Sequence, residues 1–381
     1  MDKVDSFLPG VPAGTRVAVT GGTGFIGGRL VERLAACGAD VTCLIRGRDA
    51  GTRLHRAGAH IRQLDLANED AVRDATAGIE VVLHLAYDWG DEGWNLAALR
   101  ALVAACQANG CRRLVHVSSF VVYDIPAEGM VTEDTAPSAD TAGYAHTKLA
   151  LERVLLQAVR DTGIPATILQ PTIVYGPLSQ PWTLDLADSL RHGTVILPDA
   201  GEGTCNAVYV DDVVSAIMLA AQRPEAVGQR YLVSGPAPVT WRTFHEGMAR
   251  AAGADGLRFL PADAIRRANS RAGKVRRLLR DPELAIRRVA GIGPMRKVVK
   301  GLLRFVPGRL RQALHERLYV PASRRPGHVH LPDPGHLAFL QGKATIESAK
   351  AEREMGYAPA FGFAQGMEPT ARFLQDRTRS R

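Results

Sequence analysis

The chain has 381 residues, 46% apolar and 23% charged, which is enough for one large α/β domain plus a smaller second one and is ordinary for a soluble globular protein. No stretch approaches the roughly 18 consecutive apolar residues of a spanning helix. The opening MDKVDSFLPG also lacks a basic n-region followed by an apolar core, so a cytoplasmic protein without a secretory leader is expected. The formal charge of +8 is concentrated: residues 262–325 hold 18 Lys/Arg against 4 Asp/Glu, a local +14 that leaves −6 for the rest.

In chain order, residues 16–20 (RVAVT) read as a short buried strand, followed by GGTGFIGG and an amphipathic helix over 29–37 that Gly38 and Asp40 break. Strands at 41–45, 60–64, 80–85, 113–117 and 166–169 then alternate with helices at 69–76, 95–108 and 147–162. That alternation gives βαβ units and a parallel sheet, and the apolar, β-branched strand runs fit a sheet covered on both faces. Residues 178–207 are loop-rich with a helix near 184–191. A strand at 208–210, a helix at 212–221 and a last strand at 231–233 follow. After Gly235-Pro236-Ala237-Pro238 the composition shifts to a helix at 240–253, a short strand at 257–260, the basic helical segment 262–325, a Pro/Gly/His-rich stretch and helices at 346–355 and 363–375.

The expected fold class is therefore α/β: a Rossmann-type doubly wound parallel sheet over 14–180 plus 208–236. A smaller, mostly helical substrate lobe takes 181–207 plus 237–381, including the basic insertion 262–325. Cys37, Cys43, Cys106, Cys111 and Cys205 are scattered without metal-ligand spacing. They read as reduced buried thiols, and no metal site is expected.

Between the first strand and the first helix, Gly21 permits a tight turn, Gly24 lets backbone approach a pyrophosphate and Gly27 lets helix and strand pack closely. The helix N-terminus then offers unpaired N–H groups and the positive end of its dipole to the phosphates. At the end of the second strand, where a carboxylate would bind the adenosine ribose of NAD, stands Arg46. A guanidinium suits the 2′-phosphate of NADP by charge and bidentate geometry, so NADP is the expected cofactor with NAD as the alternative; a solvated surface arginine is the plainer reading. Asp65, followed by Leu66, closes the third strand. It is either an acceptor for the adenine amino group or a helix N-cap, and both stay open.

Taken together, TGGTGFIGG (20–28), VVLHLA (81–86), Asn95, VHVSSFVVYD (115–124), YAHTK (144–148), PTIVYGP (171–177), VYVDDV (208–213) and REMGYAP (353–359) resemble the extended short-chain dehydrogenase/reductase family. That family includes the NAD-dependent epimerases/dehydratases and 3β-hydroxysteroid dehydrogenase-like reductases. The resemblance implies a dinucleotide site formed by Gly21, Thr23, Gly24, Phe25, Ile26, Gly27, Arg46, Asp65, Leu66, Ala86, Pro171 and Ile173 together with Tyr144 and Lys148. It also implies a catalytic set of Ser119, Tyr144 and Lys148.

The chemistry is coherent in its own right. Tyr144 and Lys148 are four apart and share a helix face. Lys148 holds the nicotinamide ribose, and its charge favours the tyrosinate. Tyr144 then exchanges a proton with a carbonyl or alcohol while hydride moves to or from the nicotinamide. Asn95 is either a site-stabilising residue or a helix cap. Asp211 and Asp212, ahead of a helix, read as caps rather than acids.

Phe120 and Val121 stand where the sugar 4,6-dehydratases of the family carry an Asp-Glu pair, so elimination by that route is excluded. Cys205 stands where nucleotide-sugar enzymes carry an arginine for the diphosphate, which counts against such a substrate unless residues of 262–325 substitute. The leading expectation is an NAD(P)-dependent oxidoreductase for a ketone or secondary alcohol of a lipid-, polyketide- or steroid-like small molecule. The alternatives are a nucleotide-sugar 4-epimerase or reductase, and a non-catalytic NADP sensor. The resemblance further implies a homodimer face on the helices carrying Asn95 and Tyr144. The basic segment reads as a solvated helical lobe, a peripheral membrane contact or a substrate lid. Its sparse aromatics argue against nucleic acid.

Overall fold

The computed structural model describes residues 11–47, 51–140, 142–270 and 322–379. They group into two compact units: Met1–Thr183, Cys205–Val239 and Lys343–Thr370 form the first, and Leu184–Thr204, Thr240–Gly342 and Ala371–Arg381 the second.

The first unit is built on β1 (Arg16–Thr20), β2 (Asp40–Ile45), β3 (His60–Gln63), β4 (Val81–His84), β5 (Arg113–Val117), a short β6 (Met130–Val131) outside the main sheet, β7 (Ala166–Pro171) and β8 (Ile173–Tyr175). The sheet has seven strands in the order Arg230–Val233, β7, β5, β4, β1, β2, β3, every neighbouring pair parallel. From β1 the chain winds outward through β2 and β3, then returns to β4 on the other side. This reversal opens a crevice at the carboxyl ends of β1 and β4.

Alternation along each strand feeds two cores. Val17, Val19, Val81, Leu83 and Val115 face α1 (Phe25–Ala36) and the helix Val210–Ala220, packing with Leu30, Leu34, Val213 and Ile217. Ala18, Val82 and Leu114 face α3 (Glu69–Ala75), α4 (Glu92–Ala108) and α5 (Gly143–Thr162), packing with Val72, Leu99, Leu102, Leu151 and Leu155. The expected doubly wound Rossmann-type fold is the observed one.

Several boundaries move. The first helix begins at Phe25, not 29: Gly24 is its N-cap, and the helix-poor Gly27 and Gly28 are packed inside its first turns. The fourth begins at Glu92 rather than 95, because the Asp91 carboxylate accepts the Trp94 N–H at 2.8 Å and caps it. A short α2 (Gly51–Arg56), unexpected from the sequence, buries Leu54.

The C-terminal boundary also changes. Lys343–Thr370 belongs to the first unit, not to the smaller lobe. Hydrogen bonds fix it there: Tyr357 donates to the Ser234 carbonyl at 2.8 Å, Ser234 N–H donates to Ser348 Oγ at 2.7 Å, and the Asp212 carboxylate accepts the N–H groups of Ala360 and Phe361 at 2.7 and 3.2 Å.

The second unit has a three-stranded parallel sheet, Leu257–Leu260, Thr194–Pro198 and Val329–His330, with helices Leu186–His192, Trp241–Ala252, Ala262–Asn269 and Pro334–Gln341. Ile196, Ala262, Ile265 and Leu337 form a small core. Most of the basic segment, 271–321, lies outside the described residues, and with it the expected insertion and its proposed roles.

Candidate active site

The glycine turn follows β1 directly. Gly21 has φ +71°, and a Cβ there would lie 2.7 Å from Ala86 N and Leu85 C at the end of β4. A Cβ on Gly27 would overlap the Gly21 carbonyl. Gly24 caps α1 with no side-chain hydrogen bond, so the first N–H groups of the helix remain available to an anion. Thr23 is exposed, and Phe25 and Ile26 are half-buried on the first turn. A tight turn, a bare helix N-terminus and missing side chains fit a dinucleotide pyrophosphate.

Ser119, Tyr144 and Lys148 come together beyond β5. Lys148, on α5, is 4% exposed, and its Nζ donates to the Val117 carbonyl at the end of β5 at 2.9 Å. Tyr144 lies one turn nearer the helix N-terminus, with Lys148 Nζ 5.8 Å over its ring, and Ser119, two residues beyond β5, caps a short 3-10 turn beside it. Burial pushes the Tyr144 phenol up to about 12, with the neighbouring Ser119 hydroxyl working the other way. Burial pulls Lys148 down to about 8 despite the opposing carboxylate of Glu152.

Strand alternation explains the floor of this site. His84 and His116 are register partners on β4 and β5, both on the face toward α5, and their rings stack at 5.1 Å. Thr20 Oγ1 accepts the N–H groups of Leu85 and Ala86 at 3.1 Å each, which leaves its own O–H for His84 Nδ1 at 2.8 Å. Burial first, and Lys148 second, hold His84 at about 3 and His116 well below its usual range. Both are therefore neutral, and neither ring nitrogen of His116 has a partner among the described residues.

Behind Lys148, the 1% exposed Glu152 accepts from Gln170 Nε2 at 2.9 and 3.0 Å, and Gln170 Oε1 accepts from Tyr123 at 2.8 Å. Arg230 approaches the same carboxylate at 4.0 Å. Burial raises the Glu152 carboxyl above its ordinary value.

An aromatic group lies against Tyr144. Trp89 stacks on its ring (4.9 Å, 24°), Tyr87 meets it edge-on (5.2 Å, 86°), and Lys148 Nζ sits 4.8 Å over the Tyr87 ring. Trp89 is 80% exposed. Asn95 holds the loop bearing both residues: its Oδ1 accepts Asp88 N–H at 2.8 Å, and its Nδ2 donates to the carbonyls of Asp88 and Asp91 at 2.7 and 2.9 Å. Asn95 thus ties a loop, while the cap is Asp91.

Beyond the glycine turn, Arg46 lies 5.0 Å over the Trp94 ring and pairs with Asp88 at 2.8 Å. Asp65 accepts Trp94 Nε1–H at 2.7 Å and the Ala67 N–H at 3.0 Å. It does not cap α3, a place taken by Asn68. Those bonds hold the Asp65 carboxyl below its ordinary value. Leu66, Pro171 and Ile173 are buried, and Ala86 is half-buried at the end of β4. Asp211 binds Arg29 (2.5 and 2.8 Å) and Arg33 (3.1 Å), Asp212 accepts the amides of Ala360 and Phe361, and Tyr209 holds the N-cap position, so neither acid is a cap. No metal-binding cluster and no helix long and apolar enough to cross a membrane occur among the described residues.

Residues 17–234 match the family model "NAD dependent epimerase/dehydratase family". The chain belongs to this family. It is 31% identical over 254 residues to a 2-alkyl-3-oxoalkanoate reductase of Stenotrophomonas maltophilia, covering 63% of this chain and 76% of that one. It is 31% identical over 320 residues to a UDP-glucose 4-epimerase of Mycolicibacterium smegmatis, covering 76% and 97%. The structure of Thermus thermophilus UDP-glucose 4-epimerase in complex with NAD shares the fold, with a TM-score of 0.64 at 21% identity over 95% and 99% of the two chains. Membership of the epimerase/dehydratase family makes this chain an NAD(P)-dependent enzyme, as the sequence implied.

Proposed function

We propose that the protein is an NADP-dependent reductase of a ketone on an apolar small molecule, with Tyr144 as proton donor, Lys148 as the cation that orients the cofactor, and Ser119 as the substrate-orienting hydroxyl. The observation that carries this is the placing of Lys148 against Tyr144 and the Val117 carbonyl at the carboxyl edge of the sheet, with Ser119 just beyond β5 and the Trp89 and Tyr87 rings against the phenol.

The bound nicotinamide supplies the hydride. The chain does the rest. Ser119 and Tyr144 offer hydroxyls to a carbonyl oxygen, and Tyr144 passes its proton to that oxygen as it becomes an alcohol. Lys148, buried and ionised below about pH 8, stabilises the phenolate left behind and bonds the nicotinamide ribose. The glycine turn and the N-terminus of α1 would hold the pyrophosphate and Pro171 and Ile173 the nicotinamide. Asp65, Leu66 and Ala86 would take the adenosine, and Arg46 would take the 2′-phosphate.

Two features support an apolar ketone over a nucleotide sugar. Cys205, where a diphosphate-binding arginine would stand, is a fully buried thiol. Two aromatic rings, Trp89 and Tyr87, lie against the Tyr144 ring. The epimerase reading retains one support, the Mycolicibacterium smegmatis relative that this chain covers over 97% of its length.

The test is direct: the purified chain is given NADPH with a 2-alkyl-3-oxoalkanoate and, separately, UDP-glucose with NAD. Ketone-dependent NADPH oxidation is expected. Epimerisation of UDP-glucose without ketone reduction would replace this reading with the second.

A further inference from the structure

The partner of Arg46 bears on which dinucleotide is preferred. Arg46 follows the carboxyl end of β2, and Asp88 lies four residues past the end of β4. These strands flank β1, so the 2.8 Å pair between Arg46 Nη1 and Asp88 Oδ2 spans the width of the strand that carries the glycine turn.

Asp88 is the fixed member. Asn95 holds both its N–H and its carbonyl, and Asp88 Oδ1 accepts the Gly90 N–H at 2.9 Å. That bond first, and Arg46 second, hold the carboxyl below its ordinary value. The Arg46 side chain, by contrast, is 61% exposed and rests on Trp94, whose indole N–H is bonded to a second carboxylate, Asp65. One guanidinium therefore stands among two acids, and a phosphate that joins it must displace Asp88 or share the cation with it.

We propose that Asp88 is a specificity-determining residue for the dinucleotide: by holding the Arg46 guanidinium it competes with the 2′-phosphate of NADP and narrows the preference over NAD. The inference rests on the reading of Arg46 as the partner of that phosphate.

Equilibrium binding of NADP and of NAD to the full chain, followed by tryptophan fluorescence and by calorimetry, tests it. Asp88→Asn keeps the acceptor for Gly90 and removes the charge. NADP is expected to bind roughly fivefold more tightly, the gain shrinking as salt is added, while NAD changes less than about twofold. Unchanged or weakened NADP binding overturns the role of Asp88. Arg46→Leu separates the two readings. If it weakens NADP while Asp88→Asn has no effect, only the competition fails. If neither variant alters the ratio of NADP to NAD affinity, the assignment of Arg46 falls as well.

Discussion

Two regions of one sheet edge handle charge in opposite ways. Around β5 and α5, Lys148, Glu152, His84 and His116 are all buried, and their ionisation is shifted by the loss of water. Around β2 and β3, Arg46 and Asp65 are exposed, and Asp65 is governed by hydrogen bonds and a neighbouring charge. A group that must change protonation is tuned by desolvation. A group that must recognise a fixed charge can stay in water, where its partners are exchangeable. Mutations should therefore act on rate and pH at the first region and on cofactor choice and salt dependence at the second.

The severest break is Tyr144→Phe. Loss of the proton donor should lower turnover by about 10²–10⁴-fold while cofactor affinity stays within about twofold. Steady-state rates and cofactor titration check this, and undiminished turnover would remove the phenol from the chemistry.

Next is Asn95→Ala, which strips three hydrogen bonds from the loop carrying Tyr87 and Trp89. Urea unfolding should show a loss of about 2–3 kcal/mol; a loss under half of that would mean the loop is held by other contacts.

Arg46→Asp should weaken NADP relative to NAD by about tenfold, leaving turnover at saturating cofactor little changed. Competition binding decides the matter, and an unaltered preference would dissolve the contrast between the two regions.

The finest test is pH. Lys148 titrates at about 8 in the folded chain against an ordinary 10.5, so the ammonium is present below about 8 and lost above it. The rate of ketone reduction should fall through that range. Folding stability should instead rise between about 8 and 10.5, where only the unfolded chain still binds the proton. Glu152 raises Lys148, so Glu152→Gln should move the basic limb of the rate profile down by about half a pH unit. A stationary limb would assign it to another group.

Local pattern made the first half of this architecture readable. Strand periodicity, the glycine turn and the four-residue spacing of Tyr144 and Lys148 each lie within one element or one turn, although the helix that carries the pair begins at Gly143 rather than at the expected 147. Arg46 was visible as a cation at the end of β2, but its engagement by Asp88, 42 residues on, depends on β4 lying across β1 from β2. The stacked histidines were written in VVLHLA and VHVSS; recognising them needed the register that makes His84 face His116. Trp89 left a signal too, an aromatic just beyond a strand end, but its contact with Tyr144 joins a loop to the first turn of α5, which no periodicity connects. The strand Thr194–Pro198 lay hidden in a segment whose glycines and prolines read as loop.

The return of Lys343–Thr370 to the first unit has a consequence for synthesis. When the ribosome has made residues up to about 240, every strand of the seven-stranded sheet exists. Yet the Asp212 carboxylate still awaits the amides of Ala360 and Phe361, and the Ser234 carbonyl awaits the hydroxyl of Tyr357. More than a hundred residues must emerge before those bonds close. The nascent chain therefore carries an unfinished sheet edge through the translation of its entire middle section, and that interval is where chaperone engagement should concentrate.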